Sequence, residues 1–477
     1  MMRMKASVIS ILMTVIMALG LIPVTALPVL AADPAVAVSG EVNASGLPDN
    51  AVITLNGNTI INLDGIKTIS SINSGSFSVT IKGTGMLNVK KSIQASLVNI
   101  DGNVSVEGDK VGIMGIYGIN FLSGNTSVKA KNTAVFSSGT LFVAKGASVR
   151  AESWSEGSAT VYSKDDMEIC GSLTADVSGG KSYNQTIWTN GNLNVSGNVS
   201  ASSESINGIS VAKNLTVDGG NISSYAGRTG IRCGNLILKS GYLYTKADYY
   251  VALSADTIQV SDGSLYAYTT HAGTDSGGSG GGVGATKSGD VTYAINTKVY
   301  YQYGGTVSAT GAGWGLYLES GGDTTVFYGG TFIAEGKGDA LKTAGSVFIQ
   351  NTDLTLKPLR KQAKALYAVN GNITVNNSTI NASGNYGLYT EKGNITVTDS
   401  KLNVTGNTEG ILTDNGNVTI SNSNVTVTGE KHGIAALAKD SSTGKLELGG
   451  TFNVKATGSS STAVAASSSA TINEGTY

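Results

Sequence analysis

Few residue types in this chain are equipped for chemistry. It has two histidines, His271 and His432, and two cysteines, Cys170 and Cys233. No His/Cys spacing among them suits zinc, which needs three or four ligands at one point, and no Ser-His-Asp constellation stands out. The glycine run at 277–282 lacks the Lys and Ser/Thr of a phosphate loop. It also lacks the Asp-bearing nonapeptides of calcium rolls. It reads as an insertion between structural units, bounded at 273–290. Tyrosine is what the chain has in quantity. Tyr242, Tyr244, Tyr249, Tyr250, Tyr266 and Tyr268 precede the insertion, and Tyr293, Tyr300, Tyr301, Tyr303, Trp314, Tyr317 and Tyr328 follow it. In Tyr242-Leu243-Tyr244 the leucine takes the inward position of a strand, so the tyrosines face out. Outward rings on a ridged surface are a platform for the apolar C–H faces of sugars. Tyrosine also favours strands for its own sake, and rings could simply cover the joint where the insertion leaves. The candidate surface is Tyr242, Tyr244, Tyr266, Tyr268, Tyr300, Tyr301, Tyr303 and Trp314.

The elements that must position these rings are legible from a repeat. Residues 371–443 state one pattern three times: GNITVNNSTINASGNYGLYTEK, GNITVTDSKLNVTGNTEGILTDN and GNVTISNSNVTVTGEKHGIAALAKDSST. A period of about 22 residues rich in β-formers, Gly and Asn marks a chain wound into stacked coils. Each coil has three apolar stations. Ile373, Ile395 and Val418 mark the first, with Val375, Val397 and Ile420 two residues on. Ile380, Leu402, Val425 and Phe452 mark the second, and Leu388, Ile411 and Ile434, each after a glycine, the third. The i, i+2 step is strand periodicity. The same frame recurs upstream at Leu193, Leu215, Leu236 and Ile258, at Val199, Ile222, Leu243 and Leu265, and at Ile209, Ile231 and Leu253. Leu316, Leu341 and Leu366 carry the third station between the blocks. Three short strands per coil predict an all-β, right-handed parallel β-helix over 51–477, with 33–50 as lead-in or cap. With that period it would have roughly 20 coils. A helical reading fails, because 64 glycines and abundant Ser, Thr and Asn disfavour helix interiors.

Composition narrows the function classes. Charged residues are 14% of the chain and the formal net charge is −1; losing Arg3 and Lys5 with a leader would make it −1 − 2 = −3. Nucleic acid needs clustered Lys and Arg, which are missing. Met1–Lys5 supplies positive charge, 6–30 carries none, and Leu30-Ala31-Ala32 offers small-residue cleavage. Residues 1–32 therefore read as an export signal, and the chain as secreted or extracellular. The apolar run is long enough to remain as an uncleaved membrane anchor. The cysteines each precede a leucine by three residues, Leu173 and Leu236. A column Leu173, Leu193, Leu215, Leu236 sets them three coils and roughly 14 Å apart at about 4.8 Å per coil, beyond disulfide reach. Two unpaired, largely buried thiols are expected. Asn214, Asn372, Asn394 and Asn417 open Asn-x-Thr sequons at one phase of the coil, just before its first strand, which predicts a ladder of amide-to-amide hydrogen bonds.

With VITLNG at Val52–Gly57 and GNITVNNSTI downstream, the pattern resembles the right-handed parallel β-helix of pectate-lyase-like proteins. It looks closest to carbohydrate-binding-domain-labelled β-helical surface proteins of Gram-positive bacteria. The resemblance covers most of the chain beyond the leader and implies fold far more than activity. Enzymes of the lyase group need an acidic calcium cluster with a neighbouring Arg or Lys. Arg228 and Arg232 lie near Asp248 and Asp256 in sequence, without paired carboxylates in one column. The related polygalacturonase-type hydrolases follow Asn-Thr-Asp with Asp-Asp, Gly-His-Gly and Arg-x-Lys. Asn351-Thr352-Asp353 matches the first, but Asp165-Asp166 lies upstream of it, and Lys431-His432-Gly433 is not Gly-His-Gly. The match reads as a turn between coils. The resemblance implies a non-catalytic surface protein that binds a polysaccharide or cell-wall glycan or mediates adhesion. A lyase or hydrolase, or a stalk displaying other modules, are the alternatives. No cofactor, metal or nucleic acid is expected, and a monomer is. Residues 470–477 read as a coil begun and not finished, so a fragment or further domains are expected there.

Overall fold

The computed structural model describes residues 32–154, 159–178, 185–204, 207–271, 292–319, 325–440 and 444–473. The leader, all but Ala32, and the insertion at 273–290 lie outside the described residues. The chain is a parallel β-solenoid of about 17 turns, spaced about 23 residues apart. That is fewer turns than the repeat predicts, because some coils carry long connections. Met167 pairs with Leu193, a step longer than the repeat's own. Ile258 pairs with Tyr300 across the insertion, a step of nearly two periods.

Three faces run the length of the rod, and the apolar stations fall on them as the period requires. On the first face Leu193, Leu215, Leu236 and Ile258 stack in register, as do Ile373, Ile395 and Val418. The second face stacks Val199, Ile222, Leu243 and Leu265, and the third Ile209, Ile231 and Leu253. Strand alternation puts every second side chain inside, so Ile373–Asn376 reads buried, half-buried, buried, half-buried. The inward column is continuous apolar core, and each fully buried Ile or Leu contributes about 1.5–3 kcal/mol. The lead-in joins the rod: Ala35–Asn43 pairs in parallel with Val52–Leu63, so coiling begins upstream of residue 51.

The corners explain the repeat's small residues. Asn351, Asn377, Asp399 and Asn422 hold positive φ of 53, 44, 50 and 49° between the first and second faces. Asn and Asp tolerate that region best among residues with a side chain. The serines that follow, Ser378, Ser400 and Ser423, each donate to the carbonyl two residues back, at 2.7, 2.6 and 2.7 Å. Asn351-Thr352-Asp353 is one such corner. Before the third face, Gly387 and Gly410 lie against valines of the second: a Cβ there would meet Val404 Cγ1 at 2.1 Å and Val427 Cγ1 at 2.2 Å.

The asparagine ladder takes two forms. Asn235 donates its amide to Asn214 Oδ1 at 2.9 Å, and Asn214 donates to Asn192 at 3.1 Å, as expected. Downstream the donors are backbone instead. Asn394 N–H reaches Asn372 Oδ1 at 2.8 Å, and Asn417 N–H reaches Asn394 Oδ1 at 2.9 Å. Both cysteines are unpaired, yet their expected common phase is wrong. Met167, not Leu173, stacks beneath Leu193; Leu173 stacks beneath Val199 on the second face. The step from Leu173 to Leu193 has nearly the length of one coil, but the chain makes that coil from Met167. Cys170 therefore sits half-exposed in a corner, and Cys233 sits buried on a third-face strand.

Candidate functional site

The eight expected residues do not form one patch; the coil distributes them around the rod. Tyr242, Tyr244, Tyr266 and Tyr268 line the outside of the second face, with Tyr244 and Tyr266 in direct register and the rings of Tyr242 and Tyr266 5.5 Å apart. Tyr301 and Tyr303 lie at the edge of the first face. Their rings stack at 6.4 Å, and Tyr303 stacks on Tyr328 at 5.6 Å, both pairs within 19° of parallel. Rings stacked this way cover one another's faces and present edges. Trp314 belongs to the third face. Tyr300 is a correction: it is fully buried, in the inward slot above Ile258. Its hydroxyl donates to Gln302 Oε1 at 2.9 Å, and its ring meets Phe327 and Phe332 at 5.3 and 5.7 Å. The insertion broke the count across this coil and hid the equivalence of Tyr300 with Ile258.

The third face assembles what the second only suggests. Its outward column is the residue after each inward Ile, Val or Leu. Upstream this position holds Phe136, Tyr162 and Trp188, in register, with consecutive rings 5.1 Å apart. Downstream it holds Tyr317, Lys342, Tyr367 and Tyr389. There Lys342 Nζ sits 4.7 Å from the Trp314 ring centre and 5.4 Å from that of Tyr367, and Lys364 Nζ is 4.1 Å from Tyr367. The Tyr389 hydroxyl donates to Asp414 Oδ2 at 2.9 Å, and the Tyr367 hydroxyl to Glu391. Burial, then these carboxylate bonds, push both phenols up.

Between the two ladders the column carries Ser210, Arg232, Ser254 and Asn296, and the surface sinks into a cleft of about 380 Å³. Trp188 and Gln185 stand at its upstream end, and Asn296, Lys298 and Glu319 at its downstream end. Trp188 to Asn296 is four register steps, about 19 Å along the rod at about 4.8 Å per step. Its two carboxylates are engaged: Asp256 pairs with Lys298 at 2.7 Å, and Glu319 accepts from Asn296 Nδ2 at 3.1 Å. Two other oxygens are not. Gln185 Oε1 and Asn296 Oδ1 are buried and accept no hydrogen bond among the described residues. Native interiors rarely leave such acceptors empty, because an unmade bond costs about 1–3 kcal/mol. Arg232 stands exposed between the two serines. Cys233 lies beneath; burial first, and the Asp256 charge second, push its thiol up to about 12, so it stays protonated. The cleft offers an indole face, a guanidinium, hydroxyls and unfilled acceptors, which is the chemistry of binding a hydroxyl-rich molecule.

Composition around the insertion drew attention to the second face and missed Trp188 and Asn296, and Arg232 was weighed only as the arginine of a lyase. The signal was available: each follows a third-station residue, as in Ile187-Trp188, Ile231-Arg232 and Ile295-Asn296. A second titratable group closes the downstream ladder. Glu409 is buried, with His432 Nδ1 3.6 Å and Lys431 Nζ 3.9 Å from its Oε1, while its Oε2 accepts nothing among the described residues. Burial raises the Glu409 carboxyl and lowers the His432 imidazole. Among the described residues no group of three His, Cys, Asp or Glu side chains could hold a metal, and no helix is long and apolar enough to cross a membrane.

Comparison with protein-family models, with curated proteins and with solved structures gives no match. The likeness to β-helical proteins therefore stands on the coils themselves and extends to fold alone.

Proposed function

We propose that this solenoid binds a polysaccharide along the third-face cleft and does not transform it. The carrying observation is the cleft's combination of an indole wall at Trp188 with two buried, unfilled acceptors, Gln185 Oε1 and Asn296 Oδ1. Sugar hydroxyls are donors that fill such acceptors, and pyranose C–H faces pack on indole. Engagement of Asp256 by Lys298 and of Glu319 by Asn296 favours holding over acid–base work, which needs a carboxyl free to exchange a proton with the substrate. The leader at 1–32 supports export, and an exported glycan binder acts in adhesion or surface attachment.

A glycan array read alongside an assay for unsaturated and reducing-end products tests this directly. Retention of a polysaccharide without product, weakened by Trp188→Ala, is the expected outcome. Product release would replace binding with catalysis, and silence on both would favour a stalk.

A further inference from the structure

The cleft's outward column alternates in size. In register order it reads Trp188, Ser210, Arg232, Ser254, Asn296: the short hydroxyls of two serines alternate with the longer indole, guanidinium and amide side chains. Neighbouring rungs lie about 4.8 Å apart, so equivalent side chains recur every second rung, about 9.6 Å. The serines leave gaps, and the longer side chains reach past them. The direction is straight, because the column follows the rod axis.

We propose that the ligand is an extended, β-(1→4)-linked glycan of the twofold-ribbon type, lying along the axis with five sugars in the cleft, one per rung. This rests on the glycan-binding reading above and goes beyond it by assigning linkage and length. A pyranose in such a ribbon advances by roughly one sheet spacing. Successive sugars are flipped, so the same edge meets the protein at every second sugar. That repeat coincides with the spacing of Trp188, Arg232 and Asn296, while the flipped sugars' outward groups fall over Ser210 and Ser254. At the ends, Gln185 Oε1 and Asn296 Oδ1 take hydroxyl donors from the first and last sugars held. An α-(1→4)-linked glucan curls into a wide helix. It leaves a straight wall after one or two sugars and cannot meet Trp188, Arg232 and Asn296 together.

The test is titration calorimetry of the full chain with cello- and chito-oligosaccharides from dimer to hexamer, and with malto-oligosaccharides of the same lengths. The expected result is an affinity rise of about tenfold or more from dimer to pentamer in a β-(1→4) series, little change from pentamer to hexamer, and weaker malto binding at every length. Ser254→Tyr, which fills one gap, should abolish the gain from dimer to pentamer while leaving the melting temperature in place. Equal affinity for dimer and pentamer, or malto binding as tight as cello or chito, overturns the assignment. Failure of both β-(1→4) series while another polysaccharide is retained on the array also overturns it, and leaves the binding reading intact. Failure of every glycan on the array removes both.

Discussion

Two aromatic ladders on one face have opposite chemistry. Upstream, Phe136, Tyr162 and Trp188 contact each other as rings, and the Tyr162 hydroxyl accepts from the exposed Asn190 at 2.9 Å. Downstream, the rings of Trp314, Tyr367 and Tyr389 are capped by Lys342 and Lys364, and two of their hydroxyls are tied to Glu391 and Asp414. A ring face already covered by an ammonium is not open to a sugar. The downstream ladder satisfies itself and stabilises the rod, whereas the upstream ladder ends on an open cleft. Aromatic residues on a solenoid therefore cannot be counted as binding residues until their faces are accounted for.

The sharpest break of this comparison is Trp188→Ala against Trp314→Ala. Losing an anchor of this kind costs roughly 2 kcal/mol or more of binding, about thirtyfold in affinity. Trp188→Ala should show that loss with little change in melting temperature. Trp314→Ala should lower the melting temperature and keep affinity; equal loss of affinity in both would merge the two ladders into one site. Next in size is Tyr389→Phe, which strips a partner from a buried carboxylate and should cost about 1–2 kcal/mol in denaturant unfolding. Tyr162→Phe, in the same assay, should stay within about 0.5 kcal/mol.

Glu409→Gln sharpens the account of the downstream end through pH. The folded-state carboxyl is raised above its ordinary 4.5, so the native chain binds the extra proton. Its stabilising contribution is present below 4.5 and is lost as pH rises through the folded value. Glu409→Gln should thus stabilise at neutral pH, by about 1 kcal/mol, with the gain fading as pH falls through the folded value and gone below pH 4.5. His432 runs the other way: its lowered value contributes stability above 6.5 that is lost as pH falls through the folded value. A flat difference between wild type and Glu409→Gln from acid to neutral pH would contradict this burial. Lys342→Met keeps the stem and removes the charge. It should cost about 0.5–1 kcal/mol of stability and leave glycan affinity unchanged.

The coil was legible wherever the spacing kept to the period. Ile373, Ile395 and Val418 stack as their spacing demands, and so do Leu193 and Leu215. Legibility failed where a connection lengthened. Leu173 took the place of Met167, and Tyr300 passed for a surface ring, because spacing alone cannot say which residues are looped out. The candidate site was legible only in part. Tyr242 and Tyr266 were rightly expected outside, but clustering in sequence spreads residues around the rod, whereas clustering in space joins residues a whole coil apart.

The sequence by itself determined the period, the three inward columns and the corner residues, because these follow from local alternation, turn conformations and burial. The tertiary structure decided which outward residues become neighbours. Trp188, Arg232 and Asn296 meet only when the rungs between them are in register. It also decided which ring faces are covered, because Lys342 reaches Trp314 from the next coil. Outward side chains are not constrained by burial, so their partners are set by winding, and winding is a property of the whole rod.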